Sequence, residues 1–404
     1  MKRILSFVAV GLLLSAGMYT LLANDLYISG SGSGTDCSML LPCTFATAQG
    51  KAVAGDVIHI KDRVQAINVT KSGITLEGGI VDGSNNTDQD SAAILVTGDN
   101  VTIKNVEVIN GHSYGIRTYN IGYGKNLTID GANIHHNVLE NFYGSFGCNQ
   151  NVSSGWGSAV RAYRTTGMTV RNSSIYENCG EGLSSVMSDH TTGSNLQIWD
   201  NFSVNVYPDQ SQYFTVTDSV VQCLKPEYQR FGLSFALLLG AESYSGISTN
   251  TTDFIDFERN KVYNCKGVGV YSTTGNTWKD ITVINNEFYN VPSPAIASIS
   301  GTNIVTSPNL IANYTLTPSQ TGAATITRTI TATSTTASTQ TPAPPTQPSR
   351  TSTPTGIVTP KVTATAMTSR TNTVTPIRTP TGTQIQTQTP KPTRTHRPTR
   401  TPRP

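Results

Sequence analysis

Between Asp25 and Leu316 the chain repeats short runs in which apolar and polar residues alternate, each closed by Asn, Gly or Asp. Examples are VTIKNVEVIN, LTIDGANIHHN, MTVRNSSIYEN, LQIWDN, FTVTDSVVQC, FIDFERNKVYNC and ITVINNEFYN. Period-two alternation bounded by turn residues predicts strands, and no amphipathic helix follows the first thirty residues of this region. Taking the apolar residue near each strand end as an anchor gives Val108, Ile134, Ile175, Ile198, Val220, Val262 and Phe288. The steps between them are 26, 41, 23, 22, 42 and 26 residues. A step of 22–26 is one turn of a parallel β-solenoid, and the two long steps are single turns carrying inserted loops.

Three residues past the anchor stand Asn137, Asn178 and Asn201, then Cys223 and Cys265. Stacked Asn amides at one corner can bond from turn to turn and satisfy groups that water does not reach. Neighbouring turns lie about 4.8 Å apart, within the Cα separation a disulfide requires. Cys223–Cys265 is therefore expected where the Asn column ends. Cys148 lies inside the first insertion and Cys179 on the following turn, a pair that would pin the loop, and Cys37–Cys43 closes a short loop. An even count of six cysteines, in a chain whose N-terminus reads as an export leader, favours this framework over metal binding.

Ahead of the repeats, PCTFATAQGKAVAGDVIHI predicts a short amphipathic helix, then a turn at Gly55-Asp56 and a first strand. Such a helix would cover the open end of the stack, where bare strand edges invite aggregation.

The two ends differ from the body. Residues 1–24 open with Lys2 and Arg3, continue as an apolar run and reach small residues at Ala23, the pattern of a secretory leader; an uncleaved anchor is the alternative. Residues 317–404 are rich in Thr, Pro, Ser and Gln, too poor in apolar surface to offset the entropy of ordering, and are expected to form a disordered stalk. Of the 28 Lys and Arg, ten lie in this tail and two in the leader, so sixteen face all 25 Asp and Glu in the body. The body is acidic, which argues against nucleic acid as a partner, whereas the basic tail suits contact with an anionic cell wall. Domains are thus expected at 1–24, 25–316 and 317–404, in a monomeric protein that is secreted or held at the cell surface.

Eight residues past the anchors the next strands begin at Ile116, Leu183, Val206 and Val270, with Val160 in that place after the insertion 139–156. Alternation from these positions turns one strip outward: Arg117 and Tyr119, Arg161 and Tyr163, Gly182 and Ser184, Tyr207 and Asp209, then Tyr271. Guanidinium groups capture carboxylates or sulfates in bidentate fashion, and tyrosine rings stack on sugars. Arg117, Tyr119, Arg164, Tyr207 and Asp209 are accordingly candidate glycan contacts. The alternative is that these side chains only cover the sheet.

Glu181 interrupts this pattern. In the same register it shares its place with Tyr114, Val204 and Val268, pointing inward or sitting on a corner, and Gly180 and Gly182 leave a path to it. Three accounts stay open: a corner carboxylate satisfied by backbone amides, a cation ligand beside Asp189 or Asp209, or a catalytic acid or base. His135-His136 and His190 lack a third regularly spaced ligand and do not make a metal site.

The PCTFATAQGKAVAGDVIHI opening and the Asn-punctuated turns resemble secreted right-handed parallel β-helix proteins of the pectate-lyase-like superfamily. More narrowly, YENCGEGL one turn before WDNFSVNVYPD is similar to a two-turn pattern of bacterial members. The resemblance spans roughly residues 26–312 and implies an all-β, right-handed solenoid of about nine turns. The superfamily's pectin hydrolases carry an adjacent Asp pair, a His-Gly dipeptide and an Arg-x-Lys triplet, and inverting hydrolysis of that type is not expected here, since the first two do not occur. Its lyases use an Arg or Lys base and a cation to neutralise the uronate. Arg161 and Arg117, with Tyr163 nearby, would carry that chemistry, and Glu181 is the further candidate acid or base. Calcium is the cofactor the resemblance implies, although the clustered aspartates of a typical pectate lyase are not visible in this sequence. The expected function is action on acidic polysaccharide by β-elimination; glycan binding without turnover, or a purely structural surface role, are the alternatives. Loops 139–156, 224–231 and 243–252 are expected to overhang one face, where specificity would be built.

Overall fold

The computed structural model describes residues 23–313 except 120, 143, 145–146, 150–155, 243–250 and 274–277. The expected leader lies outside the described residues but for its last two, and the expected tail lies wholly outside them. Parts of the insertions 139–156 and 243–252 are also outside.

The described residues form three parallel sheets of eleven, eight and ten strands. Each turn gives one strand to each sheet, as Thr169–Arg171, Ser174–Tyr176 and Glu181–Val186 do within a single turn. The first sheet runs from Asp25–Ile28 to Gly301–Val305, and the third from Arg63–Gln65 to Leu310–Ala312. The second runs from Ile67–Val69 to Lys266–Ser272 and carries the candidate site.

The sheets enclose one core of stacked like residues. Val108, Ile134, Ile175, Ile198, Val221, Val262 and Phe288 form one fully buried column of the third sheet. Its member between Ile198 and Val262 is Val221, where Val220 was expected, because Val221 is the inward residue of Val220–Gln222. In the second sheet Ile116, Val160, Leu183, Val206, Leu237 and Val268 stack in register, so Val268 takes the place in this column expected for Val270, which packs half-buried against the core beside Leu239.

The expected Asn column is present. Asn137 Nδ2 donates to Asn178 Oδ1 at 3.0 Å, and Asn178 Nδ2 to Asn201 Oδ1 at 2.8 Å. Asn201 then donates to Asn205 Oδ1 at 3.0 Å, and Asn205 reaches Cys223 Sγ at 3.3 Å. The column therefore passes to the disulfide through Asn205, which the spacing did not reveal. A second column, Asn260–Asn286–Asn309, joins the first and third sheets with amide bonds of 3.2 and 3.0 Å. Elsewhere the bends take Asn in the left-handed region, among them Asn126, Asn172, Asn195 and Asn264. Asn tolerates that conformation better than other side-chain-bearing residues.

All three expected disulfides form: Cys37–Cys43, Cys148–Cys179 and Cys223–Cys265, with Cα separations of 4.6, 5.1 and 5.0 Å. The helix spans Phe45–Lys51, is capped by Thr44 accepting from the Thr47 amide, and packs on the first turn through Phe45, Ala48 and Ala52.

Asn178 Oδ1 accepts from both the backbone and the side chain of Asn137, and all of these groups are buried. Asn178→Ala should leave the buried Asn137 backbone N–H without its acceptor, while Asn137 Nδ2 keeps the Val108 and His135 carbonyls, and lower stability by about 1–3 kcal/mol. Chemical denaturation of wild type and variant reads this directly, and an unchanged midpoint would show that the column is dispensable.

Candidate functional site

On the outer face of the second sheet a cleft of about 450 Å³ opens over four successive strands. Its floor is apolar, made by Val204, Phe235 and Leu238; Glu181, Tyr207 and Glu242 supply acidic and hydroxyl groups, and Arg230 and Lys266 supply cations. Trp156 and Tyr271 stand as aromatic walls. The volume lies within the range of about 300–1,000 Å³ typical of small-molecule sites.

Two glycines shape the floor by steric necessity. A Cβ on Gly240 would lie 2.6 Å from the Tyr207 hydroxyl oxygen, and one on Gly269 would lie 2.4 Å from Phe235 Cε1. Each aromatic ring leans over the bare backbone of the adjacent strand, and any side chain there would displace it.

Glu181 is not turned into the core. Its register partners are Tyr114 and Ser158 on one side and Val204, Phe235 and Lys266 on the other, so Lys266 stands where Val268 was expected. The alternation breaks at this corner, placing Leu183 in the core while Glu181 and Ser184 both face outward into one polar network. Glu181 is nonetheless only 3% exposed. The flanking glycines do not open a path to it: a Cβ on Gly180 would meet the Gly157 carbonyl oxygen at 2.2 Å, and one on Gly182 the Asn205 carbonyl oxygen at 2.4 Å. They permit close stacking of turns instead.

Arg161 is the hub of the network. Its Nη2 donates to Glu181 Oε2 at 2.8 Å and to the Trp156 carbonyl at 2.6 Å. Its Nε donates to Ser158 and Ser184, and Nη1 to the Tyr114 hydroxyl at 3.2 Å. Ser158 donates to Glu181 at 2.9 Å. Burial pushes the Glu181 carboxyl above the usual carboxylate range, and Arg161, Ser158 and Ser184 pull against that shift.

Tyr207 is buried and donates to Glu242 Oε1 at 2.7 Å. Burial raises its phenol, and the charges of Asp209, Glu242 and Glu181 raise it further, so Tyr207 stays protonated. Burial lowers the Arg230 guanidinium, while Tyr271, Glu181 and Glu242 act in the opposite direction.

The expected outward strip is real but differs in detail. Arg117, Arg161, Ser184 and Tyr207 form one column, and Tyr163, Val186, Asp209 and Tyr271 another, with Gly182 in neither. Of the sequence candidates, Glu181 and Tyr207 line the cleft and Arg161 holds Glu181. Arg117 lies 4.5 Å over the Tyr114 ring and 5.0 Å over Tyr163, tied to its neighbours rather than offered to solvent. Asp209 is buried and accepts from the Glu242 amide at 3.0 Å. Tyr119 is 50% exposed, edge-on to Tyr123 in a separate loop, and Arg164 occupies a left-handed bend. Trp156, Arg230, Glu242 and Lys266 were not among the candidates. The first three sit at or in the insertions flagged as overhangs, which was the available signal.

Among the described residues no group of three or more His, Cys, Asp or Glu side chains lies close enough to hold a metal ion. The cleft's carboxylates are engaged by Arg161 and Tyr207 and share the space with two cations, a donor set that does not fit calcium. His135 and His136 bond to each other at 2.7 Å, and His135 stacks on Tyr176, which stacks on Trp199, along the third sheet. An Arg-x-Lys triplet, Arg259-Asn260-Lys261, is committed to ion pairs with Asp218, Glu258 and Glu287 outside the cleft.

The chain folds as a right-handed parallel β-helix. Residues 149–316 match the family described as right handed beta helix region, in keeping with the three parallel sheets. Among solved structures the chain is similar to the pectate lyase Pel9A, at 17% identity over 71% of this chain and 80% of that one, with a TM-score of 0.43. It is likewise similar to an alginate lyase from Paenibacillus sp. str. FPU-7, at 16% identity, 71% and 97% coverage and a TM-score of 0.44. A third likeness is the A-module of the Azotobacter vinelandii mannuronan C-5 epimerase AlgE6, at 15% identity, 71% and 89% coverage and a TM-score of 0.37. No curated protein sequence matches the chain.

Removing Arg161 leaves Glu181 buried without its cation, so Arg161→Ala should cost about 3–5 kcal/mol of stability; denaturant melts that match wild type would contradict this network. The sign of the pH effect follows from the raised Glu181. The folded protein holds that proton more tightly than the unfolded chain, so the contribution to stability is complete below the ordinary value of 4.5 and is lost as pH rises through the folded value. Glu181→Gln should flatten that fall in a series of melts across pH.

Proposed function

We propose that the protein is exported, that residues 25–316 form a polysaccharide-active β-helix with the tail 317–404 as a spacer, and that the cleft takes an acidic glycan and cleaves it by β-elimination. One observation carries this reading: a cleft with aromatic walls in which two cations face a buried carboxylate of raised proton affinity. Trp156, Tyr207 and Tyr271 supply ring surface and a hydroxyl for sugar. Arg230 and Lys266 neutralise the uronate carboxylate and so stabilise the enolate that forms when C5 loses its proton. Glu181, made more basic by burial, takes that proton as the C5 electron pair forms the C4–C5 double bond. The C4–O4 bond breaks, and Glu181 returns the proton to the departing oxygen. Arg161 acts through Glu181 by holding it in place. Tyr163, named with them from the sequence, lies outside the cleft lining.

A second reading, glycan binding without turnover, is favoured by the completeness of the Arg161 network, in which Glu181 already has a cation and a hydroxyl as partners. The two separate in one assay. Incubation with polyuronates should raise ultraviolet absorbance from unsaturated chain ends, and Glu181→Gln should lower that rate by about 10²–10⁴-fold while retaining binding. Retarded migration in affinity electrophoresis with no absorbance change would establish the binding module and end the lyase reading.

A further inference from the structure

We infer that the cleft is closed at one end and receives the terminus of an acidic glycan rather than the middle of a chain; this rests on the proposed reading of the cleft as a uronate site. The cleft spans the outer face of Glu181–Val186, Val204–Asp209, Phe235–Ala241 and Lys266–Ser272. The last of these is the edge strand of the second sheet, and beyond it the pairing continues only as a single bridge from Val268 to Ile296. Toward the N-terminal side the situation is opposite, because the sheet continues but its outer face is taken.

Trp156, immediately before the strand Ser158–Tyr163, stands at that end of the cleft. The Arg230 guanidinium lies 4.0 Å over its ring, and Arg161 Nη2 fixes its carbonyl at 2.6 Å. Behind this wall the outer faces of Tyr114–Thr118 and Ser158–Tyr163 are filled by their own side chains. Arg117 sits over Tyr114 and Tyr163, and Arg161 lies 5.0 Å over Tyr114. The guanidinium groups that the sequence offered as a continuous glycan track are thus turned onto neighbouring rings. A chain entering past Lys266 and Tyr271 would stop against Trp156 and Arg230.

Four strands at about 4.8 Å spacing give about 14 Å from first to last, the reach of a short oligosaccharide. The placement of the charges suits a chain end. Arg230 lies at the closed end and Lys266 at the open one, so a terminal uronate and a following one each find a cation.

The test is a length series on the full chain, with galacturonate and mannuronate di-, tri- and hexasaccharides and the parent polymers. Binding is measured on the protein and on Glu181→Gln, which prevents loss of ligand by cleavage. If the cleft takes chain ends, dissociation constants per chain stay within about threefold from the trisaccharide to the polymer, and polymer binding per unit mass falls as chains lengthen. Affinity per chain that keeps rising with length shows an open groove and overturns this inference while leaving the uronate reading intact. Absence of binding by every uronate, short or long, overturns both.

Discussion

Each turn of this protein lies about 4.8 Å from the next, and that repeat makes an unpaired polar group at a buried corner costly, since the same group recurs on the turn above. The Asn137–Asn178–Asn201 column meets this constraint by passing each amide to the next. At its end Asn205 carries the bonding to the Cys223–Cys265 bridge, so a covalent link replaces amide pairing where the first long insertion of the C-terminal half departs. Because the corners are held this way, outward columns are held as well. Side chains far apart in sequence, such as Glu181 and Lys266, come to occupy one line on the sheet.

The cleft exploits that rigidity at the place where alternation fails. Between Glu181 and Leu183 the strand does not follow a strict two-residue period, and a carboxylate that regular alternation would have sent toward the core is kept on the outer face. It remains buried because Trp156 and Arg161 cover it. A buried ion pair is weak evidence for stability, since loss of hydration offsets much of the attraction. The chemical consequence is larger: the carboxyl is held at a raised proton affinity in a defined orientation, beside cations that could accept a second, substrate-borne carboxylate.

The parts of this arrangement legible in the sequence were those that repeat. The turn length, the Asn column and the Cys223–Cys265 pair followed from residue types recurring at a fixed spacing, because stacking imposes like on like; Cys148–Cys179 and Cys37–Cys43 were read instead from an insertion and a short loop that each would close. The errors lie where the repeat is interrupted. Val220 was read for Val221 just before an insertion, and Val268 was assigned to the Glu181 column because the length of the preceding loop hides the register. Arg117 and Arg161 were visible as a pair, but their engagement with Tyr114 and Tyr163 depends on side-chain direction, which spacing does not encode. Trp156, Arg230 and Glu242 belong to inserted segments with no column to place them, so only the expectation of overhanging loops pointed toward them.

The central claim is that the cleft reads a carboxylate on a sugar chain. It is tested most directly by comparing one uronate oligosaccharide with its carboxyl-reduced counterpart, identical in linkage and length but with each carboxylate converted to a primary alcohol. If Arg230 and Lys266 receive the carboxylate, the acidic form binds and the reduced form loses at least about tenfold in affinity, the equivalent of 1.4 kcal/mol. Equal affinity of the two forms, or preference for the neutral one, would contradict the account.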